Sequence, residues 1–207
     1  MTETIHTLVI GGGQAGVATS AHLTRHGVPH LVLERARIAE RWRTERWDSL
    51  VANGPAWHDR FPEAEIDGVD PDAFAGKDRM ADYFQSFAEA RNLPIRTGIS
   101  VTRLEQDADG FLATTPQGPI RARNVVVATG PFQKPVIPAV VDDPRIAQMH
   151  STAYRNPDAL PEGAVLVVGA GSSGAQIAEE LVRAGRKVFL SVGPHDRPPR
   201  RYRGQDF

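Results

Sequence analysis

An α/β fold is what the sequence predicts, and three observations predict it. An apolar strand ending at Ile10 runs into the turn Gly11-Gly12-Gly13-Gln14-Ala15-Gly16, then a helix, then a second strand, Leu31-Val32-Leu33, which ends on Glu34. The same pattern recurs over residues 164–191, with Gly169 placed 158 residues after Gly11 (169 − 11). A further run, Asn124-Val125-Val126-Val127-Ala128-Thr129-Gly130, is continuously apolar, as a strand buried on both faces of a parallel sheet must be. Strands alternating with helices in this way define βαβ units. The expected architecture is a three-layer, Rossmann-like dinucleotide-binding domain over residues 1–155, with a small β excursion at about residues 95–123. The start of a second Rossmann-like domain over residues 156–207 follows, incomplete at Phe207.

Each residue type in the first unit suits one task in holding a dinucleotide. Gly11 lets the chain leave the strand in a tight turn, Gly13 has no side chain to block a diphosphate, and Gly16 allows the helix to pack closely on the sheet. The helix starting near Gln14 and Ala15 would aim free N–H groups and a positive dipole end at the phosphates. His26-Gly27 closes it. Glu34 lies 21 residues past Gly13 (34 − 13), near the spacing of about 20 expected for an acid on the ribose hydroxyls. A carboxylate there repels a 2′-phosphate, which favours FAD or NAD over NADP at this first site. Two such turns imply two nucleotide sites, and a reaction that passes electrons between two cofactors.

Bulk composition narrows the function classes. With 41% hydrophobic and 24% charged residues and a net charge of −1, the 207 residues describe an ordinary globular protein with no electrostatic reason to bind nucleic acid or an anionic membrane. No apolar run nears the roughly 18 residues of a membrane span. The chain enters a strand directly after Glu3 rather than reading as a signal peptide, so a cytoplasmic protein is expected. Cysteine is absent, which removes disulfides, thiolate metal sites and any relay from a flavin to a Cys-x-x-Cys pair within these residues.

Residues 35–47 mix arginine with tryptophan. They suit a solvated helix with Trp42 and Trp47 turned inward; equally, the rigid indole of Trp42 suits covering a flat cofactor ring. Asn53, just before Gly54-Pro55, fits either a turn cap or a hydrogen-bond donor beside a flavin. Residues 57–76 read as an irregular surface excursion. Residues 78–92 predict a helix, because Met80, Tyr83, Phe84, Phe87 and Ala88 recur at intervals of three and four, with Pro94 beyond its end. One or two short strands are expected over 95–104, and hairpin strands over 111–115 and 120–122, with Gly110 and Gly118 in the turns. The small residues Ala128-Thr129-Gly130 suit close passage by a cofactor or a plain crossover strand. Residues 131–144, marked by Pro135 and Pro138, read as the hinge between domains.

In the second unit Gly169, Gly171 and Gly174 repeat the glycine pattern, and a helix begins at Ser172 and Ser173 and stops at Gly185. Ser191, 20 residues past Gly171 (191 − 171), is read as the counterpart of Glu34, so no acid there repels a 2′-phosphate. Arg197, Arg200, Arg201 and Arg203 follow and suit pairing with such a phosphate. NADPH is therefore the expected second cofactor, with NADH as the alternative. A nucleic-acid patch is the competing reading of the arginine run.

Together these motifs resemble the flavin-containing monooxygenases, the class B family that uses FAD and NADPH, over essentially the whole chain. Gly11-x-Gly13-x-x-Gly16 is similar to that family's FAD turn and Gly169-x-Gly171-x-x-Gly174 to its NADPH turn. Trp42-Arg43 resembles the end of its Gly-Gly-x-Trp motif, with Ala39 and Glu40 in place of the glycines. Asn53 matches the asparagine that the family places near the flavin's oxygen adduct, and Ala128-Thr129-Gly130 matches its Ala-Thr-Gly joint between domains. His150 and Tyr154 match half of the identifying sequence Phe-x-Gly-x-x-x-His-x-x-x-Tyr, where Pro144 and Ile146 replace the Phe and Gly.

The resemblance implies that NADPH reduces FAD and that the reduced flavin captures O2 as a C4a-(hydro)peroxide. One oxygen then enters a nitrogen or sulfur of a small organic substrate. It makes Asn53 the catalytic residue and adds Arg35, Trp42 and Val101 to the cofactor contacts named above. A chain ending at Phe207 is expected to need a complementing polypeptide or a second copy. Another NAD(P)H-dependent flavoprotein oxidoreductase or oxidase, or a non-catalytic flavin-binding chain, is the competing reading.

Overall fold

The computed structural model describes residues 2–131, 133–194, 201–202 and 205–206. The chain divides into two compact units, Met1–Asn156 and Pro157–Phe207. The first contains, in order, β1 (Glu3–Ile10), α1 (Gln14–Arg25), β2 (His30–Leu33), α2 (Glu40–Thr44), α3 (Ala56–Asp59), α4 (Lys77–Ala90), β3 (Ile95–Arg96), β4 (Arg103–Asp107), β5 (Gly110–Thr115) and β6 (Gly118–Val127). They build one six-stranded sheet in the order β3-β2-β1-β6-β5-β4.

β1 lies parallel between β2 and β6, and its centre, Thr7-Leu8-Val9, is buried throughout, as a strand covered on both faces requires. β2 is parallel to β3, while β4, β5 and β6 form antiparallel hairpins. Two apolar clusters, with no residue in common, hold this sheet. One gathers Val17 of α1 with Met80, Ala81, Phe84 and Phe87 of α4 and with Phe61. The other joins Leu8, Leu31 and Leu33 of the parallel strands to Ala113, Ile120 and Ala122 of the hairpins. Helix α4 follows its three-and-four spacing, with Met80, Ala81, Tyr83, Phe84, Phe87 and Ala88 buried, and the buried Tyr83 hydroxyl accepts the Phe61 N–H at 2.7 Å.

Residues 120–122 and 124–127, expected as a hairpin strand and a separate buried strand, are one ten-residue strand. Arg123-Asn124 carries neither glycine nor proline to stop it, and β6 is bonded along both edges. It pairs with β1 from Glu3↔Ile120 to Ile10↔Val127, and with β5 from Ala122↔Phe111 to Gly118↔Thr115.

Residues 131–144 carry no helix or strand among the described residues and lie inside the first unit, not at its boundary. The break after Asn156 has a cause in hydrogen bonding. Arg155 donates to the Thr44 carbonyl (2.6 Å), its own carbonyl accepts the Asp48 N–H (2.7 Å), and Asn156 donates to the Asp48 carboxylate (2.7 Å). These bonds keep residues 155–156 with the first unit.

The second unit comprises β7 (Val165–Val168), α5 (Ser172–Arg183) and β8 (Val188–Ser191), with β7 parallel to β8. The pair β9 (Arg201–Tyr202) and β10 (Gln205–Asp206) is antiparallel. α5 buries Ile177, Ala178 and Leu181, whereas Leu166, Val168 and Phe189 stay 59%, 69% and 52% exposed, an apolar sheet surface left open. Among the described residues no helix is long and apolar enough to cross a membrane.

Candidate functional site

The end of β1 and the start of α1 open onto a cavity of about 530 Å³ in the first unit. Its floor is the glycine turn. Gly11 has φ +111°, which disfavours any residue with a side chain, and a methyl placed on it would stand 2.5 Å from the Ala128 carbonyl oxygen. Gly16 is locked behind it: a methyl there would lie 1.8 Å from the Gly11 oxygen. At Gly13 a methyl would meet nothing within 4 Å, so this side of the turn is open space. No side chain caps α1, and Gln14 and Ala15 line the cavity, so the first-turn amides are placed for an anion.

Glu34 follows β2 directly. Its Oε2 accepts the Gly12 N–H (2.6 Å) and its Oε1 the Ala36 N–H (2.9 Å), which fixes the carboxylate at the cavity wall. Gly12, unassigned in the sequence pattern, is explained by this contact, since a methyl on it would fall 2.8 Å from Glu34 Cβ. Each carboxylate oxygen keeps a second lone pair for a ribose hydroxyl.

Gly11, Gly13, Gln14, Ala15, Glu34, Arg35, Trp42, Val101, Ala128, Thr129 and Gly130 all line this one cavity. Trp42 also packs edge-on against Phe84, with ring centroids 5.7 Å apart, so it is wall and core at once. Ala39, which stands where the resemblance expects glycine, is left-handed at φ 59° and buried. Its N–H donates to the Gly12 carbonyl (3.0 Å), tying the entry to α2 onto the turn. Asn53 is not brought to the wall: it is exposed and lies before the Pro55 turn. His150 serves as a turn cap, its Nδ1 accepting the Thr152 N–H at 3.2 Å, and Tyr154 is buried.

Sequence reasoning missed Arg41 and Arg46, which also line the cavity. Arg41 pairs with Glu45, one turn on along the chain. Arg46 donates to the Glu45 carbonyl (2.9 Å), and burial, aided by the charge of Arg41, holds its guanidinium pKa below the ordinary arginine value. A run of alternating arginines carries no signal of which members turn inward.

The second unit repeats two backbone bonds of the first turn. Gly169 N–H donates to the Ser191 carbonyl (3.0 Å) as Gly11 N–H donates to Leu33 (2.8 Å), and Ala175 N–H to Gly171 (2.9 Å) as Val17 N–H to Gly13 (3.0 Å). Gly169 has φ +98°, a methyl on Gly174 would stand 1.9 Å from the Gly169 oxygen, and one on Gly171 would meet open space. No side chain caps α5, which begins with Ser172 and Ser173.

This equivalence corrects one expectation. Ser191 is the last residue of β8 and matches Leu33; the counterpart of Glu34 is Val192 (171 + 21), 55% exposed. Ser191 lies 20 residues past Gly171, one fewer than the 21 that separate Glu34 from Gly13. No carboxylate occupies the position under either count. Arg197, Arg200 and Arg203 lie outside the described residues.

The sheet order, the crossover helix and the glycine turn make the chain a Rossmann-like α/β protein. It belongs to the pyridine nucleotide-disulphide oxidoreductase family, whose model matches residues 8–201. It is 42% identical over 196 residues to an uncharacterized CzcO-like oxidoreductase of Geobacillus kaustophilus, covering 93% of this chain and 56% of the relative. It is 31% identical over 191 residues to the indole-3-pyruvate monooxygenase YUCCA1 of Oryza sativa subsp. japonica, covering 89% of this chain and 47% of that one. A mutant flavin monooxygenase from Stenotrophomonas maltophilia superposes with a TM-score of 0.81 at 25% identity, covering 94% of this chain and 59% of that structure. The chain thus spans about half the length of the curated relatives it matches. These 207 residues contain no cysteine, so they supply no thiol to a disulphide step.

Proposed function

We propose that the protein is an FAD- and NAD(P)H-dependent monooxygenase that places one atom of O2 on a nitrogen or sulfur of a small organic substrate. The observation that supports this most is the pair of equivalent glycine turns, one bearing Glu34 and the other Val192 at the ribose position. An acid on one and none on the other suits FAD in the first unit and a 2′-phosphorylated nicotinamide nucleotide in the second. The monooxygenase names among its relatives support oxygen transfer as the outcome.

Bound FAD would supply the hydride-accepting and O2-activating chemistry. The chain's own residues bind and orient it. Gly13 and the first-turn amides of α1 take the diphosphate, Glu34 accepts from the ribose hydroxyls, and Trp42 with Ala128-Thr129-Gly130 closes the wall around the cofactor. Asn53 as the polar group beside the reacting ring rests on the family resemblance alone. The open surface at Leu166, Val168 and Phe189 supports a complementing segment, or a second copy, as cover.

The test is to purify the protein, titrate it with FAD, and follow NADPH consumption with and without a thioether or an amine. Oxygenated product in step with NADPH consumed supports the proposal. A protein that takes up no FAD sinks it. Consumption matched only by peroxide, or only by an added electron acceptor, favours the competing reading of a non-oxygenating oxidoreductase, which the CzcO-like relative's name supports.

A further inference from the structure

We propose that the outer edge of β6 over residues 124–127 is a strand position that takes an extended apolar segment from outside these 207 residues. Its source is the part of the polypeptide that the curated relatives carry beyond the matched region. The inference concerns the sheet of the first unit and does not depend on which cofactor the cavity takes.

β6 is paired with β1 up to Val127 but with β5 only up to Ala122. Ala128 N–H donates to the Ile10 carbonyl (2.8 Å), and backbone groups alternate sides along a strand. Asn124 and Val126 therefore face β1, while Val125 and Val127 turn their N–H and C=O groups the other way. Among the described residues no strand pairs with that side beyond Ala122. The side chains agree with the backbone. Val125-Val126-Val127 suits burial on both faces, as Leu8-Val9 of β1 does, yet Val127 is 64% exposed whereas Leu8 and Val9 are fully buried.

The two outermost strands of the sheet carry guards against further pairing: β3 is two residues long, and β4 exposes Arg103, Glu105 and Asp107. Residues 124–127 carry neither a charge nor a proline. The partner that suits them is a strand of about four residues, apolar on both faces. The chain spans about half the length of its curated relatives, so the rest of such a polypeptide is long enough to supply that strand. A second copy fits less well. A twofold pairing centred on Val125 would set Ala128 of the second copy opposite Ala122, where β5 already lies. β6 runs on into Ala128-Thr129-Gly130 at the cavity rim, so a strand added here would also steady that rim.

The experiment follows hydrogen exchange of single amides in the protein alone and with the unmatched remainder of the Geobacillus relative, supplied as a separate polypeptide. Alone, Val125 and Val127 should exchange at least about tenfold faster than Asn124 and Val126. With the remainder the two chains should co-elute, and both fast amides should slow. Val127→Pro removes one outward N–H and should weaken this binding about tenfold or more. Val127→Lys, which places a guarding charge on the edge, should do the same, and the unfolding temperature of either variant alone should stay within about 2 °C. The proposal is overturned if Val125 and Val127 are already protected in a monomer, or if light scattering shows a pair of copies that protects them. It is equally overturned if the remainder does not bind, binds without slowing these amides, or binds both variants as well as the unsubstituted protein.

Discussion

Replacing Gly16 by alanine tests the link between the turn and the cavity. The added methyl would lie 1.8 Å from the Gly11 oxygen and 2.9 Å from its carbonyl carbon, where contacts under 3.0 Å are essentially never seen. Both obstacles are backbone, so α1 must retreat by more than about 1 Å (3.0 − 1.8) or the turn must distort. Alanine returns about 1 kcal/mol in helix propensity. Overpacking costs about 1–3 kcal/mol, and a clash with unyielding backbone takes the upper part of that range, about 2–3 kcal/mol, so this term wins. The net loss of about 1–2 kcal/mol should lower Tm by roughly 2–8 °C for a protein of this size. Gly13→Ala is the control, since its methyl meets open space at φ −84°. It should leave the cofactor-free Tm within about 2 °C, in keeping with a surface change of at most about 0.5 kcal/mol, yet abolish tight FAD binding by occupying the diphosphate position. Thermal melts and FAD titrations of both variants read this directly. An unshifted melt for Gly16→Ala, or full FAD affinity for Gly13→Ala, would refute the reasoning.

Three further outcomes are expected. Glu34→Gln should weaken FAD binding about tenfold and destabilise the protein by about 1–2 kcal/mol, because one of the Gly12 and Ala36 amides then faces an NH2 group; titration and chemical denaturation check both. Val192→Glu should shift the second site toward NADH, read as a fall of at least about tenfold in the NADPH:NADH ratio of kcat/KM, and an unchanged ratio would remove Val192 from the ribose position. Tyr83 has its pKa raised by burial, so the folded state holds that proton more tightly than the unfolded one. Its contribution is therefore complete below the ordinary tyrosine value of about 10 and is lost as pH climbs through the higher folded value. Tyr83→Phe should cost about 1–3 kcal/mol at neutral pH by orphaning the buried Phe61 N–H, and should flatten the alkaline limb of stability against pH.

Most of what positions the site was legible in the residues, because it depends on backbone. The turn needed a positive φ at Gly11 and a bare Cα at Gly16, demands that glycine meets, while at Gly13 the open space suits a diphosphate. Helix α4 announced itself through a spacing that its buried residues follow. Features set by long-range pairing were less visible. The continuity of β6 depends on partners more than a hundred residues away in sequence, such as Glu3↔Ile120. The inward turn of Arg41 and Arg46 depends on how the short helix α2 is anchored through Ala39 to Gly12, a bond that no local pattern encodes. Spacing alone puts Ser191 opposite Glu34, whereas the bond from Gly169 N–H to the Ser191 carbonyl aligns Ser191 with Leu33 and Val192 with Glu34.

Strand β6 also limits how sequences of this type can vary. Residues 120–122 are paired with β1 on one side and β5 on the other. Inserting or deleting a single residue there would flip every following side chain to the opposite face as far as Ala128 at the cavity rim. The hairpin tip between Asp107 and Gly110 carries no such obligation. Length changes among natural variants should gather at that tip and spare the strand, and an engineered tag or epitope would be best tolerated there.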